Sequence, residues 1–380
     1  MKIIRPITLT DAMLTSSNVP ETDYTAYNAA TTYVGGDRCI DTTLHTVYES
    51  LPSSGIELLT LDVAPAVPWL PDWTLTGQTS LQTCVVCQYL TSLTYLVRAR
   101  SGVFTLGEVI GVTGTAVLLA DQGGANPTFA SAANKARTPS VDVALATPLW
   151  WKEVSGTNRW KVFDSSVGSQ SSQAASMTFV IAPGKINAIA FLNLEATSIS
   201  LVQTDPGDGV AFTATYDLVS SAAIIDGYSY CFEPFIFLTS LVVFDLPPYE
   251  LATISITITN VGGVAKCGGI VMGLSTFLGT TLYGPSIGIT DYSQKTTDDY
   301  GNYSITEGAF SRRGSYALKV PNTSINEVER ILSLYRATPL VWVGIDEIAA
   351  TITYGTFKSF DIVISGPSYS DCSLDIEGLT

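Results

Sequence analysis

Charge is scarce in this chain, and basic charge scarcer still: 14% of the 380 residues are Asp, Glu, Lys or Arg, and 19 Lys and Arg stand against 34 Asp and Glu, a formal net charge of −15. Neutralising phosphates takes clustered Lys and Arg, so no nucleic-acid partner is expected. The one small basic cluster, Arg312-Arg313, stands alone. Histidine is almost missing. Ser-His-Asp and Cys-His nucleophiles need an imidazole to take the proton, and the single histidine, His45, reads as a half-exposed strand residue flanked by threonines. Long apolar runs are missing as well. Cys267 to Thr290 carries no charge, but its glycines, threonines and Pro285 break the continuity that a spanning helix of about 20 residues needs. A buried strand followed by a Gly-rich loop is expected there, with no membrane insertion. Met1 to Pro6 lacks the apolar run of a signal peptide, which points to synthesis in the cytoplasm without export.

Cysteines are few and irregular, at 39, 84, 87, 231, 267 and 372. Cys84-x-x-Cys87 is half of a zinc-site spacing, yet no second pair and no nearby histidine follows it, so buried free thiols are expected and no metal. Val261-Gly262-Gly263 and Cys267-Gly268-Gly269 lack the Lys-Ser/Thr ending of a P-loop and read as turns, so no cofactor is expected. Glycoside hydrolysis needs only two carboxylates. Asp205, Asp208, Glu233, Asp298 and Asp299 are the available acids, but Asp205 and Asp208 flank a Pro-Gly turn and Asp298-Asp299 opens a polar loop. No spacing selects a catalytic pair, and the chain is expected to be non-enzymatic.

What is present is β-type sequence. Polar character is carried by Ser, Thr, Asn and Gln, and the length favours two to four domains. Residues 1–24 read as an N-terminal arm with a helical turn capped by Thr10. Thr83 to Arg100 is a hairpin-like run, and Gly102 to Gly111 alternates with turn glycines. Ser165 to Ser176 is a Ser/Gln-rich link. Ala188 to Leu194, Val210 to Tyr216, Leu238 to Phe244 and Ala252 to Thr259 alternate as strands do, and turns at Asp205–Gly209 and Leu246–Tyr249 suit an antiparallel sandwich or jelly roll over 177–310. In 311–380, Ser324-Ile325-Asn326-Glu327 is a capping-box pattern, with Val328, Ile331, Leu332 and Tyr335 on one helical face. Strands at Leu340–Gly344, Ala350–Phe357 and Phe360–Ser365 complete a C-terminal α+β unit.

Between Tyr27 and Glu49, aromatics are spaced around the turn Gly35-Gly36-Asp37: Tyr27, Tyr33, then the strand Arg38 to Tyr48. This segment resembles the chitin-binding type-3 module (carbohydrate-binding family 5/12), with Tyr27, Tyr33, Gly36, Asp37 and Tyr48 at matching positions. The resemblance implies a closing aromatic segment, and Pro148-Leu149-Trp150-Trp151 supplies one about a hundred residues later. Residues 25–55 plus 147–164 are therefore expected to form a split module, with 56–146 as an inserted β domain. Tyr27, Tyr33, Tyr48, Trp150 and Trp151 become the candidates for glycan or protein contact. In so small a module Tyr33, Tyr48 and one Trp are expected in the core, leaving Tyr27 and the other Trp to touch a ligand.

The wider chain is similar to tailed-bacteriophage virion proteins that carry this module near the start and end in a run like Cys372-Ser373-Leu374-Asp375-Ile376-Glu377-Gly378. That resemblance implies a structural tail or baseplate-region component, made in the host cytoplasm and located in the virion. It would assemble with itself and with other virion proteins. A host-glycan-binding module of the tail is the alternative, and a cell-wall glycan hydrolase the second.

Overall fold

The computed structural model describes all residues except 30, 32, 52–55, 62–63, 66–67, 99–100, 103–109, 113–118, 121–127, 132–137, 145–149, 220–225, 227, 229–231, 233–236, 298–300, 302, 347 and 380. The loop expected at Pro52–Gly55, most of the Gly102–Gly111 alternation, Cys231, Glu233 and Asp298-Asp299 lie outside the described residues. The protein is mainly β, with large antiparallel sheets and a small C-terminal helix. It divides into two compact units: Met1–Asp23 with Gly156–Thr380, and Tyr24–Ser155.

The first unit is organised around one strand of 25 residues, Thr253–Phe277. Its first half pairs with Ser198–Asp205 on one side and Ser171–Ile181 on the other, and its second half pairs with Ala188–Glu195 and Lys2–Pro6. The side chains of both halves meet in one sandwich core, where Ile254, Ile256 and Ile258 join Phe179, Phe191, Ile199, Leu201, Ile270 and Met272. The alternation that marks Ile254, Ile256 and Ile258 as one face is thus the core face of the sandwich. The expected turns at 261–263 and 267–269 lie inside this strand. Gly262, at φ 78°, accompanies a local register shift, and Gly268 lets the strand run against the Val167 carbonyl and Asn193. Ser171–Ser176, expected as link, is likewise strand.

Residues 1–24 do not form a free arm. Lys2–Pro6 lies between Thr253–Phe277 and Leu340–Val343, pairing antiparallel with both, and Ile3 and Ile4 are fully buried in two different core clusters. Pro6 stands opposite Gly273, where a Cβ would collide with the Arg5 carbonyl, so the close approach of this strand requires glycine there. Through Lys2–Pro6 the sheet continues to Leu340–Val343, Ile352–Val363, Tyr369–Gly378 and Phe310–Pro321, making 14 strands among the described residues. The regions expected as separate units at 177–310 and 311–380 therefore share one sheet. The helix Ile325–Leu334 covers its C-terminal half, seating Val328, Ile331 and Leu332 on Tyr316, Leu318, Trp342 and Leu374. Its capping box does not form: Ser324 belongs to a 3-10 turn, Asn322–Ser324, and its hydroxyl caps nothing.

The second unit holds a seven-stranded sheet drawn from residues 56–131 and a three-stranded sheet formed by Arg38–Asp41, Thr46–Ser50 and Trp151–Gly156. The two pieces expected to make a split module thus do meet in one small sheet. Residues 157–164 belong to the first unit. Arg38 to Tyr48 is not one strand, because Asp41 turns the chain by accepting hydrogen bonds from the Thr43 and Leu44 amides, and His45 takes the left-handed conformation at φ 55°.

Candidate functional site

The aromatic module is built on the three-stranded sheet. In the Gly-Gly-Asp turn, Gly36 sits at φ 96°, the Gly36 amide donates to the Ser50 carbonyl at 2.7 Å, and the Asp37 carboxylate accepts from the Val34 amide at 2.7 Å. This turn delivers Tyr33 onto the sheet, where the Asn28 amide donates to its hydroxyl at 2.9 Å. Tyr27 stacks on Tyr33 with ring centroids 5.8 Å apart, and Trp151 meets Tyr27 edge-on at 5.8 Å and Tyr33 edge-on at 5.0 Å. Such offset and edge contacts are the favoured ring arrangements. Cys39, Tyr48, Leu96 and Trp150 complete the cluster.

Exposure separates core from surface here. Trp150 and Trp151 are 0% exposed, Tyr48 3% and Tyr33 9%, while Tyr27 alone is half-buried. The expectation that one Trp stays outside for a ligand is corrected. The cause is Asp142, a buried carboxylate on the short helix Pro139–Val143, which accepts the Trp150 amide at 2.8 Å and the Trp151 amide at 3.1 Å. Both amides are thereby satisfied in the interior, where the two indoles pack with Tyr33, Cys39, Tyr48 and Leu96. On the outer side Glu49 bridges Arg38 at 2.8 Å and Lys152 at 2.6 Å, tying the three strands together. These hydrogen bonds and charges hold the Glu49 carboxyl below its usual pKa, whereas burial pushes the Cys39 thiol up to about 12 and raises the Tyr27 and Tyr48 phenols. The cluster is chemically a packed aromatic core with one ring edge at the surface.

The other sequence candidates separate. Cys84 packs in the core of the seven-stranded sheet and Cys87 against the aromatic cluster, on opposite sides of their strand, so they do not converge on one ion. Asp205 closes its own turn, accepting the Gly207 and Asp208 amides at 2.9 and 3.2 Å. His45 sits in the turn between two strands, in the left-handed conformation at φ 55°, and not within a strand.

Two features go unmarked in the sequence pattern. One is a long hairpin in which Ser286–Asp291 pairs with Phe310–Ser315 and Gln294–Thr297 pairs with Tyr303–Thr306. Gly308 is required between them, since a Cβ there would press on the Tyr292 carbonyl. Ile287, Ile289, Tyr292, Tyr303, Ile305 and Phe310 are all exposed along it. The other is a cavity of about 430 Å³ in the first unit, lined by Leu192, Phe310, Ile352, Tyr354 and Leu379 around the guanidinium of Arg312. Arg312 donates from Nη1 to the Ile352 carbonyl at 3.1 Å and from Nη2 to Thr239 Oγ1 at 3.3 Å, and burial lowers its pKa. The only sequence signal for it is the isolated Arg-Arg pair in an acidic chain.

No protein-family model matches the chain, and no curated protein matches it.

Proposed function

We propose that the chain is a non-enzymatic structural component of a tailed-phage virion, in the tail or baseplate region, assembling with copies of itself and with other virion proteins through β surfaces. The observation that carries this reading is the hairpin from Ser286 to Ser315. Among the described residues it presents six large apolar side chains to solvent, Tyr303 at 68% exposure and Ile305 at 64% among them. Ser286–Asp291 pairs on one side only among the described residues, leaving an open sheet edge. Exposed apolar edges of this kind are hazards in a monomer and become assets where another β surface covers them. The scarcity of charge fits the same use, because charges sealed into a permanent interface must be desolvated. The resemblance carried by Tyr27 to Tyr48 and by Cys372 to Gly378 supplies the virion context. Use of the aromatic module as a scaffold is supported over use as a glycan platform, since stacking on a sugar needs open ring faces and both tryptophans are enclosed.

The test is a fourfold variant, Ile287→Ser, Ile289→Ser, Tyr303→Ser and Ile305→Ser, beside labelling of the protein in intact particles. Because these side chains are exposed, thermal stability is expected to stay near that of the parent. Self-association in sedimentation and incorporation into particles are expected to fall. A variant that assembles as well as the parent, or a protein absent from purified particles, sinks the reading.

A further inference from the structure

The cavity around Arg312 combines a half-buried cation with an apolar wall, and among the described residues no carboxylate pairs with that cation. A guanidinium carries five N–H donors. Among the described residues two are engaged, by the Ile352 carbonyl and Thr239 Oγ1, and three stay open to a ligand or to water. Glu307 is on the cavity lining and Asp164 lies beside Tyr354 of its wall, and neither pairs with Arg312. Glu307 is an exposed side chain, while Asp164 is held by the Ser166 amide at 2.8 Å and the Ser169 hydroxyl at 3.0 Å. Among the described residues Arg312 makes no ion pair. A half-buried guanidinium with no carboxylate partner keeps its donors available to an anionic ligand entering the cavity.

The position of Arg312 is fixed by the strand. In Phe310–Pro321 the residues Phe310, Arg312 and Gly314 alternate onto one face, and Arg312 stands opposite Ile289 of the neighbouring edge strand. Phe310, 55% exposed, therefore forms a rim beside the cation, and Leu192, Ile352 and Leu379 form the walls. A volume of about 430 Å³ falls within the range of small-molecule sites. The planar fork of an arginine matches a carboxylate in two parallel hydrogen bonds.

We propose that this cavity is a binding site for a small organic carboxylate with an apolar body, its head on Arg312 and its chain against Phe310, Leu192 and Ile352. The site is independent of the virion assignment and stands or falls on its own chemistry.

Calorimetric titration of the full chain tests it, with four probes: hexanoate, acetate, hexanamide and inorganic phosphate. Hexanoate is expected to bind saturably. Hexanamide, which lacks the charge, and acetate, which lacks the apolar body, are each expected to bind about tenfold more weakly or worse. Arg312→Met is expected to lose hexanoate binding by a similar factor. Where that variant fails to fold, Arg312→Lys keeps the charge and loses the fork, and is expected to weaken hexanoate binding. Hexanamide binding as tightly as hexanoate, phosphate binding more tightly than hexanoate, no saturable hexanoate binding, or unchanged hexanoate affinity in whichever variant folds would each overturn the proposal.

Discussion

Asp142 controls the aromatic module through two backbone hydrogen bonds, to the Trp150 and Trp151 amides, in a place where a carboxylate has 0% exposure. Those bonds satisfy the backbone where two indoles lie in the interior, and Tyr27, Tyr33 and Tyr48 pack in the same cluster. Trp150→Ala or Trp151→Ala is accordingly expected to destabilise the unit Tyr24–Ser155 by about 3–5 kcal/mol, the usual cost of emptying a core aromatic site. Guanidinium unfolding followed by tyrosine and tryptophan fluorescence measures it. A variant that keeps parental stability while losing affinity for a chitin oligosaccharide would return these side chains to the surface. Glu49 gives a second residue-scale expectation. Its pKa is lowered in the folded state by Lys152 and Arg38, so it contributes stability that is present above the unfolded carboxylate pKa and is lost as pH falls through the folded value. The difference in unfolding midpoint between the parent and Glu49→Gln should therefore be widest at neutral pH and close in acid. A difference that grows on acidification would contradict the sign of the effect.

Strands and helices were legible in this chain to the extent that their signals are local. The helix Ile325–Leu334 shows in the spacing of Val328, Ile331 and Leu332, and the hairpin Thr83–Thr91 with Thr94–Arg98 shows in its β-branched run. The turn at Asp41–Thr46 was hidden because no Gly or Pro marks it, and its sharp corner falls to His45 and an Asp side chain. The aromatic cluster was legible as a set of residues, but its burial depends on Asp142, which no aromatic spacing reveals. Lys2–Pro6 was illegible for a different reason. Five mildly apolar residues carry no sign that they will pair with Gly273–Phe277 on one side and Val341–Val343 on the other, partners that lie hundreds of residues away. Its central place makes a prediction: removing residues 1–6 opens two strands at once and empties the sites of Ile3 and Ile4 in two cores. Loss of cooperative unfolding of the Gly156–Thr380 region is expected, read by circular dichroism during thermal melting. A truncated chain that melts as the parent does would restore residues 1–6 to the status of an arm.

At the scale of the whole molecule, the chain leaves the first unit after Asp23 and returns at Gly156. The two crossing points are held together within the first unit. The Asn158 amide donates to Asp23 at 2.6 Å, the Thr157 hydroxyl to Glu21 at 2.8 Å and Arg159 Nε to the Val19 carbonyl at 2.9 Å. A segment whose ends are clasped in this way behaves as an insertion, and the entropy of closing a replacement loop grows only slowly with its length. The insertion boundary is thus Tyr24–Ser155, wider than the 56–146 that sequence pattern marks, because the aromatic module travels with the seven-stranded sheet. Replacing residues 24–155 by a short Gly-Ser linker is therefore expected to leave a first unit that folds cooperatively, since among the described residues its sandwich and helix-covered cores draw none from the excised segment. Differential scanning calorimetry of the shortened chain measures this, and the fourfold hairpin substitutions made in that background separate folding from assembly. If the shortened chain folds and still self-associates, association resides in the first unit, as the exposed hairpin requires. If it folds but no longer self-associates, the interface lies in Tyr24–Ser155 and the hairpin is not its seat.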